Sequence, residues 1–128
     1  RAERLLRLMP VNDTRRTLSW QQDNPDVVEK MIAYAEQQAI ADHDTAEFKA
    51  GARRQLLARA DHNVSAQLGR VTMPTLICAG KYDGIAPADN QYALEQGIPE
   101  AELRWYEGGH LFLVQDKQAW PDIIEFLK

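Results

Sequence analysis

Two ionisable residues, Asp83 and His110, each follow a short strand-like run that breaks at glycine, in Gly80-Lys81-Tyr82-Asp83-Gly84 and in Gly108-Gly109-His110. Imidazole titrates near pH 6.5, so it can take up and return a proton at neutral pH. It serves as a base when one tautomer is held, and a carboxylate on its other nitrogen does that. Acyl transfer needs such a base. Singly, each residue has a plainer explanation: an aspartate closing an Asx-turn, and a histidine after a glycine turn. Order and placement decide between the two.

The first run, Pro74–Ala79, is apolar and β-favouring without polar alternation, the pattern of a strand covered on both faces of a parallel sheet. A helical stretch, Ala88–Gln96, follows and is stopped by Gly97 and Pro99. The second strand is Glu102–Tyr106. A strand–helix–strand unit of this length is almost always parallel, with a right-handed crossover. Asp83 and His110 are therefore expected at the same carboxyl edge of the sheet, where open α/β sheets bind ligands.

In these residues the chain resembles the C-terminal third of an α/β-hydrolase, whose triad runs nucleophile, acid, histidine in chain order. Pro74-Thr75-Leu76-Ile77, then Gly80-x-x-Asp83 and Pro87, resemble the family's acid loop, and Gly108-Gly109-His110 its histidine loop. The match is strong over about 71–128. Residues 1–70 resemble, more weakly, the helical lid that such enzymes insert before this segment. No Gly-x-Ser-x-Gly elbow is present. The resemblance thus implies the lid and the acid and histidine half of a hydrolase, with the nucleophile and oxyanion hole upstream of Arg1. It implies an ester, thioester or lactone as substrate, His110 as general base, Asp83 as its orienting acid, and no organic cofactor or metal. Lys117 stands where a proline is common after Asp116, a departure that touches the last helix and not the chemistry.

Other candidates carry less. Asp89 is a rival acid, but its place at a helix start suits a first-turn carboxylate. Cys78 lies within a strand and reads as a small core residue. Ser19 and Ser65, the serines of this chain, neither follow a strand nor sit between glycines. His43 and His62 lie in interhelical segments without the ligand spacing of a metal site. Trp20, Tyr34 and Phe48 can line a pocket, although aromatics at helical spacing are more often packing.

Composition narrows the class. The 128 residues are 45% hydrophobic and 27% charged, ordinary for a globular chain. A net charge of −4 and the lack of a basic run argue against nucleic acid. No stretch approaches membrane-spanning length, and one cysteine fits a reducing, cytoplasmic compartment.

Before the strands, the chain reads as short helices. Arg1–Met9 forms one, ended by Pro10, and Asn12 or Asp13 caps the next. Asp23-Asn24-Pro25 opens a third, with Val28, Met31, Ile32, Ala35 and Ala39 as its apolar stripe through about Ala41. Asp44-x-x-Glu47 resembles a capping box opening a helix with Phe48, Ala52, Leu56 and Ala60 in line. Asp116 caps a final helix, with Trp120, Ile123, Ile124 and Leu127 toward the core. Two strands cannot make an independently stable sheet without a covering layer. The expectation is a missing N-terminal half, or a homo-oligomer, covering the sheet edge. Two rivals stand beside the hydrolase: a non-catalytic hydrolase-fold protein that binds a small molecule, and an interaction module whose partner completes its sheet.

Overall fold

The structure, a computed structural model, describes residues 2–37 and 45–128. Its helices are α1 (Ala2–Asn12), α2 (Leu18–Asp23), α3 (Pro25–Gln37), α4 (Ala46–Ala60), α5 (Ala88–Gly97), α6 (Phe112–Gln115) and α7 (Ala119–Phe126), with a 3-10 segment at Ser65–Arg70. The strands are β1 (Thr75–Gly80) and β2 (Ala101–Tyr106), within one residue of the expected ends. Among the described residues no strand precedes β1.

The two strands pair in parallel, with Thr75 opposite Ala101 and Gly80 opposite Tyr106. Helix α5 makes the crossover and packs on both strands. The ladder continues past the strand ends, where Lys81 N–H donates to Tyr106 O (3.0 Å) and Tyr82 N–H to Gly108 O (2.9 Å). The two loops therefore leave the sheet bonded to each other. Each strand has one ladder partner, so each keeps one edge outside the ladder.

Ile77 and Ala79 are buried on one face of β1, while Leu76 and Cys78 on the other are half-buried. The expected cover on both faces is thus incomplete in this chain. The final helix shows the same shortage. Ala119 is fully buried, but Trp120, Ile124 and Leu127 are exposed, against the expected core-facing stripe. An apolar stripe makes a helix amphipathic but brings no surface to cover it.

Helix α1 does not end at Met9; it runs through Pro10 to Asn12. A proline inside a helix orphans the carbonyl four residues earlier. Here that carbonyl, Leu6 O, accepts from the side-chain amide of buried Gln21 (3.1 Å). Neither Asn12 nor Asp13 caps α2. Thr17 does, accepting from Trp20 N–H at 3.2 Å. Pro25 opens α3 as expected. Ala39, Ala41, His43 and Asp44 lie outside the described residues. The cap of α4 is Thr45, whose hydroxyl accepts from Phe48 N–H (3.1 Å). No residue of α4 is buried. Asp116 does not cap α7, which begins at Ala119. Its carboxylate accepts from Glu107 N–H (2.7 Å) and Gln118 N–H (2.9 Å), tying the end of β2 to the start of α7.

Candidate active site

Asp83 and His110 meet at the carboxyl edge of the sheet: His110 Nδ1 lies 2.9 Å from Asp83 Oδ2. The carboxylate divides its two oxygens. Oδ1 accepts from Ile85 N–H (2.8 Å) and Ala86 N–H (3.0 Å), which fixes the side chain on its own loop. Oδ2 is left for the imidazole. The Asx-turn and the pairing with His110 are thus not rivals, because the turn aims the oxygen that the ring uses. Burial pushes the Asp83 carboxyl up, but the Ala86 amide, the His110 ring and the Ile85 amide outweigh it and hold it below its ordinary value. An ionised acceptor at Nδ1 favours the Nδ1–H tautomer, which leaves the Nε2 lone pair for proton transfer. The Asp83 side chain is 8% exposed and that of His110 44%, so the carboxylate is shielded and the imidazole accessible.

The glycines matter where the loops cross. A Cβ on Gly80 would collide with the carbonyls of Gly108 and Gly109, and one on Gly109 with Asn12 O and Asp13. Only a bare backbone lets the histidine turn pass between β1 and the end of α1. Lys81 Nζ pairs with Glu107 across the same edge. Beneath the turn, Tyr106 stacks on Phe112 with ring centroids 5.4 Å apart. Its hydroxyl lies 3.3 Å from Asp122 Oδ2, and burial pushes that phenol up to about 12.

The other candidates fall elsewhere. Asp89 occupies the first turn of α5. Burial pushes the Cys78 thiol up, away from the thiolate a nucleophile needs. The Ser19 hydroxyl faces Asp23 (3.5 Å) and that of Ser65 faces Asn63 (2.6 Å). Among the described residues no His, Cys, Asp or Glu cluster could hold a metal. Nor is any helix of theirs long and apolar enough to cross a membrane. The Arg16 guanidinium lies over the Trp20 ring at 5.7 Å. Tyr34 lines an apolar groove of about 420 Å³ between α1 and α3, with Leu5, Met9, Met31 and Leu111. Leu111 places that groove next in sequence to His110.

The segment joining α1 to α2, where the sequence suggests only a helix cap, bonds to both site loops. Asn12 O accepts from His110 N–H at 2.6 Å, and Thr14 N–H donates to Tyr82 O at 2.9 Å. Asp13 is 2% exposed and takes Arg15 through both carboxylate oxygens. Arg15 in turn lies 4.2 Å from the centroid of Tyr82. Local sequence held no signal for this, because the partners lie some seventy to a hundred residues away.

Three curated proteins, all hydrolases of one superfamily, are similar in sequence. A poly(3-hydroxyalkanoate) depolymerase of Ectopseudomonas oleovorans is 39% identical over 62 residues, covering 48% of this chain and 22% of that protein. A proline iminopeptidase of Neisseria meningitidis is 36% identical over 53 residues, 41% of this chain and 17% of the relative. 3-Oxoadipate enol-lactonase 2 of Acinetobacter baylyi is 31% identical over 106 residues, 81% of this chain and 36% of the relative. The chain thus spans well under half the length of each. No protein-family model matches it, and no solved structure does. Taken with the parallel strand–helix–strand unit, these similarities make the chain a relative of the α/β-hydrolases, carrying a C-terminal part of that fold.

Proposed function

We propose that this chain supplies the histidine and the acid of a nucleophile–histidine–acid hydrolase acting on an ester, thioester or lactone. The contact between His110 Nδ1 and Asp83 Oδ2 carries the proposal. In that mechanism a hydroxyl from outside these residues attacks the substrate carbonyl while His110 Nε2 takes its proton. The imidazolium, stabilised by Asp83, then protonates the leaving group as the carbon–oxygen or carbon–sulfur bond breaks. Water, deprotonated by the same nitrogen, releases the acid and restores the nucleophile. The relatives' names span a depolymerase, an iminopeptidase and a lactonase, so they support acyl chemistry without selecting a leaving group.

Residues 1–70 act as a lid in this reading, and the groove between α1 and α3 receives an apolar part of the substrate. Chain 1–128 alone is expected to be inactive, since it holds neither the Gly-x-Ser-x-Gly elbow nor its oxyanion donors. The test is an activated-ester assay of the purified chain, with and without a nucleophile-bearing hydrolase half, against a His110→Ala control. Its mass in solution is measured alongside. Turnover only in the complemented sample, lost on substitution, is the expected result. Ester turnover by a monomer of the chain alone, lost in His110→Ala, overturns it by requiring a nucleophile among these residues. Tight ligand binding without turnover in the complemented sample would instead favour a binding protein.

A further inference from the structure

Asp13 is a buried carboxylate that the proposed chemistry does not use. Its Oδ1 accepts from Arg15 N–H (3.1 Å) and Arg15 Nε (2.9 Å), and its Oδ2 from Arg15 Nη2 (2.7 Å) and Gln115 Nε2 (3.4 Å). Arg16 Nε stands 3.9 Å from the same oxygen. Gln115, on α6, also takes Gly109 N–H on its Oε1 at 2.7 Å. One amide side chain therefore spans from Asp13 to the backbone just before His110. The neighbouring residues grip from the same side, Asn12 O on His110 N–H and Thr14 N–H on Tyr82 O. Arg15, held by Asp13, covers the ring of Tyr82, the residue before Asp83. A single short turn thus touches both loops whose separation sets the Asp83–His110 distance.

We propose that Asp13, acting through Gln115, is a positioning residue for His110: the bridge Asp13–Gln115–Gly109 sets the turn at which Nδ1 meets Asp83. The inference rests on reading Asp83 and His110 as the acid–histidine pair. A buried ion pair is weak evidence for stability, because desolvation offsets its attraction. This carboxylate sits under the histidine turn, shielded from water, and reaches it through a side chain 102 residues away in sequence. The Arg15 hydrogen bonds hold its carboxyl below the ordinary value against the opposing effect of burial, so it is ionised at neutral pH as the bridge requires.

The readout is the His110 tautomer, by nitrogen-15 NMR of the full chain at a pH where the imidazole is neutral. The wild-type chain is expected to show the Nδ1–H form with a far-downfield Nδ1 proton. Asp13→Ala should lose that proton and shift the ring toward the Nε2–H form that free histidine prefers. Gln115→Met, which leaves the Asp13–Arg15 pair intact, should shift it the same way by less, and it decides the matter if Asp13→Ala fails to fold. Folded variants that both keep the Nδ1–H form overturn the inference and leave Asp13 a structural ion pair. A wild-type chain lacking the Nδ1–H form overturns the acid–histidine reading itself, and this inference with it.

Discussion

The turn between α1 and α2 and the helix α4 both lie before β1, yet they meet opposite fates. The turn, Asn12–Arg16, is held by hydrogen bonds to both site loops, and its carboxylate at Asp13 is almost fully covered. Helix α4 places Phe48, Ala52, Leu56 and Ala60 four residues apart and buries none of them. Leu56 is 66% exposed. The amphipathic pattern promised an interior for the second and nothing for the first. A pattern states which face a segment prefers to bury; what it meets is supplied by the rest of the fold. In this chain the glycine-bearing loops offer backbone groups to the turn, whereas none of the α4 residues is buried among the described residues.

The sharpest separation of these regions is catalytic. With a nucleophile-bearing half supplied, His110→Ala should lower turnover about a millionfold, as loss of a triad base does. Asp83→Asn should cost on the order of ten-thousandfold, because the amide favours the wrong imidazole tautomer. Steady-state assays of Leu56→Ala in the same system should stay within about twofold of the parent, as surface changes remote from a site do. A larger loss would show that α4 reaches the substrate and would break the contrast.

Stability gives the next difference. Asp13→Ala leaves Arg15 and Gln115 facing an emptied site, and urea unfolding should show a loss of about 1–3 kcal/mol. Arg15 is 43% exposed in its side chain, so water takes up part of its charge, which keeps the loss below that of a fully buried pair.

Acid should act on the turn as well. The carboxyls of Asp13 and Asp83 are both held below their ordinary values in the folded chain. The unfolded chain therefore binds more protons at these groups as pH falls, so their stabilisation is complete above about pH 5 and is lost progressively below it. Thermal melts from pH 7 to 3 should show that decline, shallower in Asp13→Asn. An unchanged slope would mean that Asp13 is not held as its contacts indicate.

The smallest effect is expected in α4, where Leu56→Ala should change the melting free energy by no more than about 0.5 kcal/mol. A cost of several kcal/mol would mean that this helix is covered in solution by a second copy or another chain.

Much of the sheet was legible because its signals are local. An apolar run before Gly80 and a β-favouring run before Gly108 placed β1 and β2 to within a residue, and the helix between them made the pair parallel. Parallel strands end at one edge, so topology brings Asp83 and His110 to the same edge, while the 2.9 Å contact between them is set by the folded loops. Helix ends were less legible. Pro10 read as a stop because a proline normally removes a helix bond, and the helix continues with Gln21, from a later helix, donating its side-chain amide to the orphaned Leu6 carbonyl.

What the sequence determined by itself was the set of elements and the two ionisable residues that meet at the sheet edge, since hydrophobic period, glycine breaks and side-chain type act over a few residues. The tertiary structure decided which polar groups hold that site in place. Asp13 and Gln115 are joined by a hydrogen bond, although neither carries a local feature that names the other. It also decided which apolar stripes find cover, because burial depends on the surfaces brought together by folding and not on the order of residues along one helix.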